Sequence, residues 1–160
     1  MPRTTSSYKG LTPASDAQRQ IHARASKKND TRCEQLLRSA LWRKGFRFRK
    51  NVTDLPGKPD IFFPKERVVV FCDGDFWHGK NWLERKARLQ RGTNPDYWIT
   101  KIETNMARDA RHDRELADRD MVVLRYWESD IKASLETIAH EVAEEVVARR
   151  EGIDQVASGR

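Results

Sequence analysis

Two short apolar runs, each touching an acidic residue, constrain this chain more than any other feature. One is Ile61-Phe62-Phe63, preceded by Pro59-Asp60; the other is Val68-Val69-Val70-Phe71-Cys72, followed by Asp73. Runs of Val, Ile and Phe this short, bounded by turn residues, read as strands rather than helices. Pro64-Lys65-Glu66-Arg67 supplies the turn between them. A hairpin of this kind brings Asp60 and Asp73 to one edge of a small sheet, with His78 close behind the second strand. Carboxylate oxygens converging at such an edge are what a hard divalent cation such as magnesium requires.

The rest of the chain supplies a domain around that hairpin. Residues 1–20 are polar and read as a flexible N-terminal arm, 21–150 as the folded domain, and 151–160 as a flexible C-terminal tail. Asp30 or Thr31 is an N-cap, and Cys33, Leu36, Leu37, Ala40 and Leu41 form a helical stripe that Gly45 ends. Phe46-Arg47-Phe48-Arg49 alternates like a half-exposed strand. Residues 80–95 read as a basic loop, and a long helix is expected from Pro95 or Asp96 to about Asp118. Met121–Trp127 is a further strand, and a last helix from about Asp130 to Arg150 buries Ile131, Leu135, Ile138, Val142 and Val146. The order α-β-β-β-α-β-α makes a single α/β domain, a mixed β-sheet flanked by helices.

Charge bears on the partner. Among 160 residues, 31 Lys and Arg outweigh 24 Asp and Glu, a formal charge of +7, which favours an anionic partner, most often nucleic acid. The basic run from Arg19 through Lys28 reads equally as a phosphate contact or as a solvated tail. No apolar run is long enough to cross a bilayer, and no hydrophobic signal core begins the chain, so a cytoplasmic protein is expected. Cys33 and Cys72, inside a predicted helix and strand, suit reduced thiols better than a disulfide framework.

Two helices carry acidic residues where apolar ones are expected. On the long helix Trp98, Ile102, Asn105, Asp109 and Leu116 share one face, with Lys101 and His112 at its margins. A buried amide or carboxylate is costly unless bonded, so Asn105 and Asp109 form either a satisfied polar pair or the wall of a polar cleft. Glu34 lies at the edge of the first helix's stripe, and spacing alone makes it an ordinary boundary glutamate. Phe76 and Trp77, directly before His78, are either core or a wedge for base stacks.

Four ordered motifs resemble the very-short-patch repair (Vsr) endonucleases: Leu55-Pro56-Gly57-Lys58-Pro59-Asp60, Gly74-Asp75-Phe76-Trp77-His78, Tyr97 to Asn105 with Arg108-Asp109, and Val122 to Glu128. The resemblance covers roughly residues 22–131. It implies a restriction-endonuclease-like core and a magnesium-dependent enzyme, with one or two ions, that nicks double-stranded DNA beside thymine–guanine mismatches. It also implies a monomer working after a cytosine methyltransferase. Carried over by position, Asp60 is the metal-binding aspartate, Cys72 offers a backbone carbonyl to the metal, His78 is catalytic, and Glu34 and Asp109 are acidic residues of the active centre. Phe76, Trp77 and Trp98 match wedging aromatics, and Lys101 and Asn105 match residues at the mismatched pair.

The resemblance fits elementary chemistry. Phosphodiester hydrolysis needs an activated water and charge neutralisation, which magnesium supplies, and an imidazole titrating near neutral pH, here His78, to move a proton. Glu34 is expected to steady His78 or a water at the ion. Two departures stand out. Well-known members carry histidine at Asp73, so Asp73 is expected to be catalytic and a metal ligand, beside His78 as the sole nearby imidazole. They also hold a structural zinc with cysteines and histidine; here Asp75 and Ser129 take two cysteine positions, so no thiolate zinc site is expected. The basic loop is then fixed by other contacts or mobile until DNA binds. A restriction-type or nicking nuclease acting on a matched or modified site is the competing enzyme reading, and a DNA-binding module with a degenerate nuclease core is the non-enzymatic one.

Overall fold

The computed structural model describes residues 10–13, 15–17, 19 and 30–159. Most of the expected flexible arm, and the basic run beyond Arg19, lie outside the described residues. Of the arm, Thr12 exchanges two hydrogen bonds with the Asn94 side chain, its N–H donating at 3.1 Å and its carbonyl accepting at 3.3 Å.

Helix α1 (Arg32–Arg43) starts where the sequence places it, with Thr31 as N-cap. Glu34 closes the first turn by accepting from the Asp30 N–H at 2.8 Å and the Thr31 hydroxyl at 2.9 Å, while its own N–H donates to Thr31 Oγ at 3.5 Å, a variant of the Thr-x-x-Glu box that reaches the residue before the cap. Strand β1 (Arg49–Lys50) is only two residues long. The expected strand from Phe46 is replaced by packing: Phe46 and Phe48 set their rings edge-on against Phe63, at 6.3 and 5.7 Å. Strand β2 is Ile61–Phe63, and its register puts Phe63 opposite Phe48, yet these two residues meet through their rings and not through the ladder.

Strand β3 (Val68–Asp73) pairs antiparallel with β2, completing the predicted hairpin. Strand β4 (Val122–Trp127) pairs with β3 in parallel, in the register Phe71 to Arg125 and Asp73 to Trp127. The sheet order β1-β2-β3-β4 is therefore an open mixed sheet with β4 at an edge. A parallel neighbour requires a crossover, and this one contains two helices, α2 (Trp82–Gln90) and α3 (Pro95–Ala117). Helix α2 corrects the expectation of a basic loop over 80–95. It buries no residue fully, which is why its sequence lacks a readable apolar stripe. Lys86 to Glu103 at 2.7 Å ties it to α3.

The last helix also differs from expectation. A short α4 (Glu128–Ala133) ends at Ser134, whose backbone is not helical, and α5 runs from Leu135–Ser158. Residues expected as a tail are therefore helical through Ser158.

Period-2 alternation divides the sheet into two faces. Ile61, Phe63, Val68, Val70 and the half-buried Leu124 pack with Leu37 and Leu41 of α1 and Val142 and Val146 of α5. Phe62, Val69 and Phe71 meet Leu116 of α3 and Val52 on the opposite side. Each fully buried Leu or Ile here stabilises the fold by roughly 1.5–3 kcal/mol. Glu66, in the hairpin turn, is buried and receives Arg150 of α5 at 2.7 Å, tying that turn to the helix layer.

Candidate active site

The two sheet faces deliver different chemistry to one end of β3. Along β3, Cys72 continues the α1-facing row of Val68 and Val70, whereas Asp73 continues the α3-facing row of Val69 and Phe71. Asp60, immediately before β2, stands between them. Its Oδ2 accepts the Cys72 N–H at 2.7 Å. Burial pushes its carboxyl up to about 7, helped by the charges of Glu34 on one side and Asp73 on the other. Asp60 is thus a carboxylate in an electron-rich corner, where a cation would relieve the repulsion.

On the α1 side Glu34 is buried, and its carboxylate is occupied by Asp30, Thr31 and, at 3.4 Å, Arg38. The Cys33 and Cys72 thiols share a hydrogen bond that lowers Cys33 to about 7 and raises Cys72 well above its usual value. Both cysteines are free. Sequence spacing put Glu34 at a boundary; its capping bonds are what turn it inward.

On the α3 side His78 Nδ1 lies 2.5 Å from Asp109 Oδ2 and 3.7 Å from Asp73 Oδ1. Of the two roles expected of Glu34, holding His78 or a water at the ion, the first position is taken by Asp109. Burial works against the imidazolium, yet the Asp109 hydrogen bond and the charges of Asp73 and Asp109 raise the His78 pKa above its usual value. Burial likewise opposes the Asp109 charge, but His78 and Arg125 hold its carboxyl below the ordinary range. Because Nδ1 faces Asp109, Nε2 is the nitrogen available to exchange a proton. Gly79 allows this approach: with φ +78°, a Cβ there would come within 2.5 Å of the Met106 sulfur on α3.

Asp73 does not point into open space. Both its oxygens accept from Arg125 Nη1 at 2.8 Å. Arg125 Nε donates to Asp113 at 2.9 and 3.1 Å, and the guanidinium lies 4.1 Å over the Phe71 ring. Burial raises the Asp73 carboxyl, and Arg125 offsets that only in part. The expectation that Asp73 is a metal ligand thus meets a competing use of both its oxygens. Arg125 and Asp113 were not singled out from the sequence, although one signal existed: an arginine inside Val122-Val123-Leu124-Arg125-Tyr126-Trp127 has the parity of the α3-facing row. Asp73, His78, Met106, Asp109, Asp113 and Arg125 line a cavity of ≈390 Å³.

Two of the aromatic candidates, Phe76 and Trp77, directly precede the cavity-lining His78 in the chain. Phe76 and Trp77 are 5.0 Å apart, Trp98 lies 5.7 Å from Phe76 and 6.1 Å from Trp77, and Tyr97 lies 5.0 Å from Trp98. All four are half-buried rather than core. Asn105 Nδ2 donates to the Trp77 carbonyl at 3.0 Å, fixing the aromatic loop to α3, and Lys101 stands one turn earlier on the same helix face.

The positions expected to lack zinc ligands are joined by direct bonds. Asp75 accepts the Ser129 N–H at 3.2 Å, while Lys80 donates to Ser129 Oγ at 2.5 Å and Asp130 at 2.7 Å. These contacts fasten the start of the α2 segment to α4. Among the described residues, no group of three or more His, Cys, Asp or Glu side chains is arranged to hold a metal ion. The oxygen donors at Asp60 and the Cys72 carbonyl suit a hard cation that takes few protein ligands and completes its shell otherwise.

Comparison with known proteins identifies the family. A family model described as DNA mismatch endonuclease Vsr matches residues 13–84. The chain is 40% identical to the type II nicking enzyme V.NmeDIP of Neisseria meningitidis serogroup C, over 85% of this chain and 88% of that protein. It is 39% identical to the type II nicking enzyme V.HpaIIP of Haemophilus parainfluenzae, over 87% and 96% respectively. It is 34% identical to the DNA mismatch endonuclease Vsr of Escherichia coli (strain K12), over 72% of each chain. With a His–Asp pair, an acidic corner and an aromatic stack gathered at one sheet end, and with relatives this similar over most of their length, the chain belongs to the Vsr family and is a DNA endonuclease.

Proposed function

We propose that this endonuclease nicks duplex DNA beside thymine–guanine mismatches, on a restriction-endonuclease-like core, in very-short-patch mismatch repair. The observation that carries the reading is adjacency. The half-buried stack of Phe76, Trp77, Tyr97 and Trp98 begins two residues before His78, which is itself bonded to Asp109. Inserting rings between base steps costs a few kcal/mol of unstacking, least at a weakened pair, so a wedge beside the hydrolytic groups converts helix weakness into selectivity. Lys101 and Asn105 add donors on the same side.

Asp60 and the Cys72 carbonyl would hold magnesium, which when bound neutralises phosphate charge and lowers the cost of generating the attacking hydroxide. His78 exchanges the proton through Nε2, with Asp109 holding its tautomer. Glu34 keeps the Asp60 corner negative and so favours a cation there. The chain would act as a cytoplasmic monomer, in the wake of a cytosine methyltransferase whose products deaminate to such mismatches.

Nicking of duplexes that differ only by thymine–guanine, thymine–adenine or cytosine–guanine at one position tests this. The expected result is at least about tenfold faster nicking of the mismatch. The relatives at 40% and 39% identity are type II nicking enzymes, which favours a second reading, nicking at a matched or modified site. Equal or faster cutting of the matched duplex would select it.

A further inference from the structure

Arg125 has a donor edge left over. Its Nε is taken by Asp113 and its Nη1 by Asp73, while Nη2 makes no hydrogen bond among the described residues. Nη2 lies 4.0 Å from Asp109 Oδ1, on the wall of the cavity that also exposes His78. Two carboxylates and the Phe71 ring thus fix the guanidinium plane on two edges and one face. The Arg125–Asp73 pair is largely out of solvent, with the two side chains 19% and 8% exposed, so the guanidinium plane is held in place and its remaining donor edge is preorganised.

The charge pattern says what the edge is for. Asp73, Asp109 and Asp113 line the cavity, so a phosphodiester entering it meets three carboxylates. A guanidinium fork is the side chain best matched to phosphate oxygens, and it remains charged at any working pH.

We infer that Arg125 is a catalytic residue that donates from Nη2 to a non-bridging oxygen of the phosphate being hydrolysed, with Asp73 and Asp113 acting as positioning residues for its fork. This rests on the endonuclease reading of the same cavity and deepens it. Asp73 is then a clamp for a cation rather than a ligand of the metal. The exchange that looked like loss of a cation at position 73 is compensated from the parallel neighbour strand, where Arg125 lies opposite Phe71.

The test uses whichever duplex, matched or mismatched, the wild-type protein nicks fastest, so an absent mismatch preference would sink the proposed repair role without touching this inference. Single-turnover rates and duplex Kd are measured for Arg125→Lys and Asp73→Asn, with each phosphorothioate diastereomer at the nick. Arg125→Lys keeps the charge and loses the fork. Its rate should fall at least about 100-fold with Kd changed less than about threefold, and the wild-type preference between diastereomers should collapse. A rate within about threefold of wild type, or a slower enzyme with its diastereomer preference intact, would overturn the inference and leave Arg125 a structural ion pair. Should Arg125→Lys fail to fold, Asp73→Asn carries the same readout: it keeps the guanidinium and loosens the clamp. A weakened preference supports the contact, and an unchanged one overturns it.

Discussion

The two faces of the sheet are built from the same strands and do opposite work. The face toward α1 and α5 is a continuous apolar layer, with Leu37, Leu41, Ile61, Val68, Val70, Val142 and Val146 fully removed from solvent. The face toward α3 begins apolar, with Val69, Phe71 and Leu116, and then turns two residues along β3 from Phe71 into Asp73, Arg125, Asp109 and His78. Stability is concentrated on one side, which lets the other carry charges that a well-optimised core would exclude. Asp60 sits at the seam and feels both sides.

The largest expected effect separates the two roles at that seam. Asp60→Asn should reduce nicking by about 1000-fold or more, because the site loses its principal anion for a cation. It should also stabilise the metal-free protein. The carboxyl ionises near 3.8 when unfolded but near 7 when folded, so stability is lost as pH rises from about 3.8 to about 7, the full cost is present at pH 8, and an amide removes it. Urea unfolding at pH 8 in chelator should show a gain of about 2 kcal/mol. An unchanged or lowered stability would mean that the corner is not strained by charge.

Next comes the apolar face. Leu37→Ala leaves a cavity under α1 and should cost about 3 kcal/mol of stability, with nicking per folded molecule nearly unchanged. Loss of activity beyond the unfolded fraction would show that the two faces are coupled through α1, on which Glu34 sits.

The His78–Asp109 pair should contribute about 1 kcal/mol, and only within a pH window. The raised His78 pKa makes its contribution full below about 6.5 and lost as pH rises through the folded-state value. The lowered Asp109 pKa makes its contribution present above about 3.8 and lost on acidification below that. The stability difference between wild type and His78→Asn, measured in chelator, should therefore be larger at pH 6 than at pH 9. The reverse order would reject an ion pair here.

The smallest effect concerns the α2 segment. Lys80→Met removes the bonds to Ser129 and Asp130 and should change global stability by less than about 0.5 kcal/mol. Amide exchange in α2 should nonetheless accelerate, since no fully buried residue holds that helix. Unchanged exchange would mean that the contacts of Lys86 with Glu103 and Arg85 with Phe76 secure it without Lys80.

Much of this was written in local pattern. The hairpin around Pro64–Arg67, the Thr31 cap, the stripe of α1, the Pro95 start of α3 and the strand ending at Trp127 all follow from periodicity and punctuation, which act over a few residues. The site roles expected of the acidic residues, His78 and the aromatics came instead from a resemblance carried by short motifs. Helix α2 was missed since it buries too little to leave a stripe, and Phe46–Phe48 was misread since alternation reports a buried ring without requiring a ladder partner. The link between Asp73 and Arg125 lay beyond any such pattern. It depends on β4 docking parallel to β3 after a two-helix crossover, in the register that brings Arg125 beside Phe71. Sequence alone settles which side chains share a face of one element, because backbone periodicity is local. Which faces meet, and so which charges neutralise one another, is decided only when distant segments pack.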